Sequence, residues 1–141
     1  MIVVDTNTLS ELSKRLPNSN VVGWFSKRQR NELVLCSPVL AELVFGAEKF
    51  RSRTGDSRHF VSLDNLRRDL LSPLVLTFDA RAAHEFGLQR AKREIVGLPI
   101  LEFDLMIAAI CLVNDATLAT RNVQDFDGLD LKLVNPFEAG A

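Results

Sequence analysis

Short apolar runs alternate with longer segments of helical period along this chain. Runs of about four to six apolar residues, bounded by polar residues, are typical of strands buried on both faces. Five of them are predicted as strands: Ile2–Asp5, Leu33–Cys36, Leu74–Phe78, Thr117–Thr120 and Leu131–Val134. The last run alternates apolar and polar residues for part of its length, which is the pattern of an edge strand with one face in water.

The intervals between these runs have the period of amphipathic helices. Six helices are predicted, at about Thr8–Lys14, Val21–Arg30, Pro38–Phe50, His59–Leu71, Ala80–Ile95 and Glu102–Val113. Strands that alternate with helices predict an α/β fold, because a parallel crossover usually returns the chain through a helix. We therefore predict a three-layer α/β/α sandwich with a mainly parallel central sheet of about five strands.

Residues at the ends of the predicted helices support these boundaries. Ser37 can cap a helix that has Pro38 at its first position, and Asp79 can cap the helix after the third strand. Asn114 suits a left-handed stop at a helix C-terminus. The polar stretch RSRTGDSR, residues 51–58, predicts a loop between two helices.

Chain length and composition predict one domain that covers residues 1–141. The 141 residues, of which 47% are hydrophobic, are enough to form one core. Because there is no run of about 20 apolar residues and no export signal, we expect a cytoplasmic protein without a membrane segment. Cys36 and Cys111 lie in apolar stretches without a CxxC spacing, which favours two core residues over a zinc site or a disulfide.

The net charge of −1 hides an uneven distribution of charge along the chain. Residues 14–93 contain 15 Lys and Arg against 8 Asp and Glu, whereas residues 94–141 contain 2 against 8. A basic middle beside an acidic end is consistent with a phosphate-binding flank next to an acidic site. A solvated charged surface gives the same counts, so both interpretations stay open.

Three acids among apolar residues each follow or enter a predicted helix at the same inferred edge of the sheet. Asp5 ends the first strand, Glu42 lies one turn inside the helix after the second strand, and Asp104 opens a uniformly apolar helix. Each acid also has a purely structural explanation. Asp5 can be a helix N-cap, Glu42 can lie on a wet helix face, and Asp104 can interact with a helix dipole.

Two further polar residues, Asn122 and Asp125, follow the predicted strand Thr117–Thr120. They are three positions apart, so a helical turn would place them on one side. Together with the three acids they are expected at the carboxyl edge of the sheet, where such folds bind ligands. Clustered like charges repel unless a cation neutralises them. Oxygen ligands without histidine or thiolate favour Mg²⁺ or Mn²⁺, which can activate water for phosphodiester cleavage.

Four segments of the chain resemble the PIN-domain ribonucleases in their order and spacing. They are Val4-Asp5-Thr6-Asn7, then Leu40-Ala41-Glu42-Leu43 with Gly46, then Phe103-Asp104-Leu105-Met106-Ile107-Ala108-Ala109, then Leu118-Ala119-Thr120-Arg121-Asn122 with Asp125-Phe126. The likeness is greatest to VapC toxins of the FitB-like group and extends from residue 1 to Phe137. It implies a single PIN-like domain and a metal-dependent endoribonuclease that cleaves structured RNA, such as transfer or ribosomal RNA, by a metal-activated water.

The resemblance also implies roles for individual residues. Asp5, Glu42 and Asp104 match the three central acids of the family's metal site and would hold Mg²⁺ or Mn²⁺. Many relatives have a fourth acid where this chain has Asn122. Either the neutral amide acts as an outer ligand or Asp125 takes that part in metal binding and catalysis. One fewer charge at this point weakens the binding site of a second ion.

Four neighbouring residues are predicted to support the site: Thr6, Asn7, Thr120 and Arg121. Thr120 matches a hydroxyl residue near the family's site, and Arg121 could steady a phosphate or form a surface ion pair. The family further implies a homodimer and a cognate antitoxin, VapB- or FitA-like, that covers the active site. In such pairs DNA is bound only through the antitoxin, and the basic middle of this chain would contact the RNA substrate.

Two alternative functions stay open beside this one. The first is a non-catalytic PIN-like binding module that acts with an antitoxin or another DNA-binding partner, in which Asn122 marks a degenerate site. The second is a haloacid-dehalogenase-like phosphatase, whose motif also begins with an Asp at the tip of the first strand. Such phosphatases usually need a second Asp two residues later, where this chain has Asn7, so this alternative is the less favoured of the two.

Overall fold

The computed structural model describes all 141 residues and contains one sheet of five strands. The strands are β1 (Ile2–Val4), β2 (Leu33–Cys36), β3 (Val75–Leu76), β4 (Thr117–Ala119) and β5 (Lys132–Val134). Their order across the sheet is β3-β2-β1-β4-β5, and every neighbouring pair is parallel. The predicted α/β fold with a parallel sheet is confirmed, and β5 is an edge strand as its alternation predicted.

Helices flank the sheet. They are α1 (Thr6–Glu11), α2 (Ser19–Ser26), α3 (Ser37–Thr54), α4 (Arg58–Asp69), α5 (Ala80–Ile95) and α6 (Glu102–Val113), with two short 3-10 turns at Arg30–Glu32 and Val123–Phe126. Pairs of α-helices form the first three crossovers, and the second 3-10 turn lies in the last crossover, from β4 to β5. None of the helices has the length and apolar character needed to span a membrane.

The core is centred on β1 and its two neighbours. Val3 is fully buried and is paired with Val34 on one side and Leu118 on the other. α6 is buried along most of its length, as its uniformly apolar sequence predicts. Burial of one large apolar side chain contributes about 1.5–3 kcal/mol. The packed core therefore holds in place the carboxyl ends of β1, β2 and β4.

Both cysteines are free and buried in the core, as predicted. Burial raises the pKa of the Cys36 thiol to about 12, and the nearby charges of Glu42 and Asp5 act in the same direction. Burial also raises the pKa of the Cys111 thiol. Neither sulfur is available as a thiolate at neutral pH, so neither is suited to bind a metal or to act as a nucleophile.

The predicted loop at residues 51–58 is wrong for its first half. α3 continues to Thr54 and ends at Gly55, whose φ of +75° gives the left-handed C-cap that glycine adopts easily. The polar residues Arg51 to Thr54 lie on the exposed side of the helix, where Arg51 pairs with Glu48. Polarity at these positions reflected a wet helix face and not the end of the helix.

The predicted helix caps have mixed outcomes. The Asp79 carboxylate accepts a hydrogen bond from the Ala82 amide at 2.9 Å and caps α5, as predicted. Ser37 is itself the first residue of α3, and its hydroxyl accepts a hydrogen bond from the Phe78 amide at 3.0 Å instead. Asn114 has a φ of −104°, and the left-handed residue is Asp115, at +51°.

Candidate active site

Asp5 leaves the carboxyl end of β1 and has both of its carboxylate oxygens engaged. Oδ1 accepts a hydrogen bond from the Thr8 amide at 2.8 Å and caps α1. Oδ2 accepts one from the Thr120 hydroxyl at 2.6 Å, across to the end of β4. The capping role that the sequence allowed for Asp5 is therefore real, and it fixes the carboxylate beside β4. Each oxygen keeps a further lone pair for another partner.

Glu42 lies in the second turn of α3, directly after β2, and is half-buried. Its Oε1 accepts a hydrogen bond from the Thr6 hydroxyl at 2.8 Å. Thr6 is the first residue of α1 and follows Asp5 in the chain. This contact between α1 and α3 brings the Glu42 carboxylate toward the end of β1, so Glu42 does not simply point into water on a wet helix face.

Asp104 lies in the first turn of α6 and is half-buried. Burial, followed by the negative charges of Glu42, Asp125 and Asp5, raises its pKa from the usual 3.8 to about 6. These charges come from three other segments of the chain, so the fold gathers them within electrostatic range of Asp104. An acid under such repulsion either keeps its proton or attracts a cation.

The acids face a small cleft of about 50 Å³ at the carboxyl edge of the sheet. Seven residues predicted from the sequence line it, and two apolar side chains complete the wall: Asp5, Thr6, Asn7, Glu42, Asp104, Thr120 and Asn122, with Ile107 and Phe126. The lining contains carboxylate, amide and hydroxyl oxygens but no imidazole or thiol. This donor chemistry fits a hard divalent cation.

The acids do not form a closed coordination set as their side chains are placed. No group of three or more His, Cys, Asp or Glu side chains lies close enough together to hold one ion. Asp5 is fixed by two hydrogen bonds and Glu42 by one. An ion shared by all three acids therefore requires at least one of them to change its side-chain conformation.

Asp125 and Arg121, two residues predicted to act at the site, do not line the cleft. Asp125 is exposed on the 3-10 turn Val123–Phe126, although its charge acts on Asp104. The Arg121 guanidinium lies over the Phe137 ring, 4.7 Å from its centroid. Asn122 lines the cleft, and its amide N–H donates to the Thr120 hydroxyl at 3.1 Å.

Two cleft residues, Ile107 and Phe126, were not predicted from the sequence. Ile107 follows Asp104 by three positions and so lies on the same face of α6, which is a spacing that could have identified it. Phe126 is buried at the end of the 3-10 turn next to Asp125. Both apolar side chains lie in the wall of the cleft that Asp104 also lines, which is consistent with the burial that raises the pKa of this residue.

The raised pKa of Asp104 predicts a stability gain when its charge is removed. The folded chain binds this proton more tightly than the unfolded chain, so the contribution of Asp104 to stability falls as pH rises from about 4 to 6 and stays low above 6. We expect Asp104→Asn to raise the free energy of unfolding at pH 7.5 in chelator by about 1–2 kcal/mol, after allowance for solvent screening.

Urea denaturation of the wild type and of this variant at pH 4 and pH 7.5 measures the effect. Glu102→Gln, which removes an exposed acid from the same turn of α6, is the control and should change little. A variant that is destabilised at pH 7.5, or a gain that is equal at both pH values, would contradict this interpretation of Asp104.

Comparison with known proteins identifies the family of this chain. The family model described as PIN domain matches residues 2–130. The plasmid stability protein StbB of Pseudomonas syringae pv. tomato is 34% identical, with 99% of this chain and 100% of that protein covered. The VapC ribonuclease Y4jK of Sinorhizobium fredii is 31% identical, with 98% and 99% covered.

Solved structures agree with these sequence relatives. A structure of FitAB bound to an IR36 DNA fragment contains a chain that superposes with a TM-score of 0.87 at 26% identity, and 100% of this chain and 99% of that chain are covered. The family model, the full-length relatives and the superposed structure all point to the same group of proteins. The chain belongs to the PIN domain family.

Proposed function

We propose that this chain is a divalent-metal-dependent endoribonuclease and the toxin of a type II toxin–antitoxin pair, formed by a single PIN-like domain over residues 1–141. The observation that carries the proposal is the approach of Asp5, Glu42 and Asp104, from three separate segments, to one oxygen-lined cleft. The raised pKa of Asp104 supports it, since three other acids act on this residue. Two relatives with ribonuclease names match 98% and 88% of this chain.

The carboxylates have the role of holding Mg²⁺ or Mn²⁺ in this proposal. Asp5 would be the most firmly held ligand, because its two hydrogen bonds leave it little freedom, and Glu42 on α3 and Asp104 on α6 would supply the other carboxylates. When bound, such a cation activates water and offsets the charge that develops on the phosphate during cleavage. Ile107 and Phe126 exclude bulk water from one side of the reacting group.

The two threonines orient the acids. Thr120 donates to Asp5 and Thr6 donates to Glu42, so each hydroxyl occupies one carboxylate oxygen and directs the remaining lone pairs. Residues that hold metal ligands in this way typically change metal affinity or activity by about 10–100-fold when they are removed. Asn122 brings a neutral amide to the cleft, which favours one ion over two, with Asp125 as an outer acid.

The solved structures of relatives support a proposal about the binding partners of this chain. The solved structures of FitAB and of VapBC2 from Rickettsia felis are described as bound to DNA fragments. For this chain we propose a cognate antitoxin that covers the acid cleft and carries the DNA contacts of the complex. We further propose a homodimer, with structured RNA such as transfer or ribosomal RNA as the substrate.

One observation favours a second candidate function, the non-catalytic binding module. The acids do not form a closed ligand set, and the fourth position is the neutral Asn122. A module of this kind would keep the fold and the antitoxin surface without cleaving RNA. The two candidates differ in a single measurable respect, which is the appearance of new RNA ends.

Induction of the gene in a bacterial host tests the proposal. We expect growth arrest together with new RNA ends at discrete positions in structured RNA, measured by sequencing of RNA 5′ ends before and after induction. Asp104→Asn, expressed at the same level, should give neither effect, and co-expression of the protein encoded by the neighbouring gene should restore growth. Arrest by both the wild type and the variant, with unchanged RNA ends, would favour the binding module.

A further inference from the structure

The 3-10 turn Val123–Phe126 and the residue before it supply the two polar site residues other than the central acids. Asn122 precedes the turn and lines the cleft, and Asp125 lies within it. At its start, the Asn122 amide N–H donates to the Thr120 hydroxyl at 3.1 Å. Within it, the Asp125 amide donates to the Asn122 carbonyl at 3.1 Å. These local bonds shape the turn, but they do not connect it to the helices around it.

Arg93, in the last turn of α5, makes that connection. Its guanidinium donates to the backbone carbonyls of Asp125, at 3.3 Å, and of Asp127. These are the only hydrogen bonds between residues 122–128 and an α-helix or strand elsewhere in the chain. A residue 32 positions away in sequence therefore fixes the end of the turn in space.

The guanidinium of Arg93 is used for nothing else. It makes no ion pair, and its Nε is buried without a partner, so both of its hydrogen bonds go to the turn. The carbonyls at the end of a helical turn lack partners within the turn and carry partial negative charge. A planar guanidinium presents several N–H donors in a fixed fork and can donate to two such carbonyls at once. A lysine ammonium is a compact point charge and does not reproduce this geometry.

We propose that Arg93 is a positioning residue that holds the 3-10 turn so that Asn122 and Asp125 stay beside the acid cleft; this inference rests on the proposed function. Arg93 does not line the cleft itself. It acts through the backbone of the turn. Without it, the turn is attached only through Thr120 and the burial of Phe126, and Asn122 and Asp125 lose their fixed distance from Asp104.

Hydrogen exchange in the metal-free protein tests the contact directly. Arg93→Met keeps the aliphatic stem and removes both donors, and we expect the backbone amides of residues 122–128 to exchange about tenfold faster, the effect of losing hydrogen bonds from a charged donor. Arg93→Lys should restore part of the protection. Arg90→Met is the matched control, because Arg90 lies one turn earlier on α5 and contacts Glu94 and Glu102 but not the turn.

Steady-state kinetics of RNA cleavage with Mg²⁺ separates positioning from folding. For Arg93→Met we expect kcat to fall about 10–100-fold, as for other residues that orient a metal site, with KM within about twofold and with partial recovery in Arg93→Lys. Unchanged exchange in residues 122–128, or a kcat per folded molecule equal to that of Arg90→Met, would overturn the role of Arg93. Faster exchange without metal-dependent cleavage by the wild type would instead overturn the proposed function.

Discussion

Asp5→Asn is expected to lower the rate of RNA cleavage at least about 100-fold, because it removes the charge of the most firmly held of the three proposed metal ligands. The substitution changes one oxygen to an amide nitrogen and keeps the shape of the side chain. Asn is as good an N-cap as Asp, so the variant can still accept the hydrogen bond from Thr8 that begins α1. The fold should therefore survive while the site loses its charge.

Asp79→Asn is the matched control for this variant. Asp79 also caps a helix, through a 2.9 Å hydrogen bond from Ala82, but it lies after β3 and does not line the acid cleft. We expect its activity to stay within about twofold of the wild type, since the cap is retained. Equal loss in both variants would show that the loss comes from the cap, and full activity in Asp5→Asn would remove Asp5 from the mechanism.

Removal of divalent cations is the second change with a large expected effect. Dialysis against a chelator should lower cleavage at least about 100-fold, because the carboxylates cannot by themselves supply the positive charge or the activated water. Addition of excess Mg²⁺ or Mn²⁺ should restore the activity. We expect these two ions because the metal-binding groups in the cleft are carboxylate, amide and hydroxyl oxygens, without imidazole or thiol. Such oxygen ligands favour Mg²⁺ and Mn²⁺.

Two controls make the chelation experiment specific to the metal site. Far-ultraviolet circular dichroism before and after chelation shows whether the fold is kept without metal, which we expect because the core does not depend on the cleft. Asp5→Asn, prepared in parallel, reports any contaminating ribonuclease. Cleavage that persists in chelator at the rate of the untreated wild type, and that is absent from Asp5→Asn, would mean a metal-independent mechanism.

Much of the fold was predictable because the core is encoded in local patterns. The buried strands are short apolar runs between polar residues, and α6 is apolar on nearly every side. The extent of α3 was not predictable from polarity, since Arg51 to Thr54 are compatible both with a loop and with the wet face of a helix. Only the tertiary structure shows that the helix continues to Gly55.

The site was predictable to the extent that it depends on strand ends. Asp5 and Glu42 follow from the rule that the carboxyl edge of a parallel sheet gathers what comes after each strand, and Asp104 lies at the start of α6, the helix that leads back to β4. The rule does not say where a side chain points. It therefore missed the exposed position of Asp125, the contact of Arg121 with Phe137, and the attachment of the 3-10 turn to Arg93.

Asp5 combines two structural contacts with its proposed role in the site. Its two oxygens have different partners, one in the cap of α1 and one at Thr120. The cap restricts the carboxylate, and a metal site benefits from ligands that the surrounding structure holds in place. The helix cap therefore also supports the proposed metal site.

Crystals grown with Mn²⁺ test the central claim most directly, through the anomalous signal of the metal. The proposed site predicts one Mn²⁺ in the cleft, with oxygens of Asp5, Glu42 and Asp104 as its ligands, and no such peak in crystals of Asp5→Asn. A wild-type crystal at the same Mn²⁺ concentration with no peak in the cleft, or with the ion bound elsewhere, would contradict a shared metal site formed by these three acids.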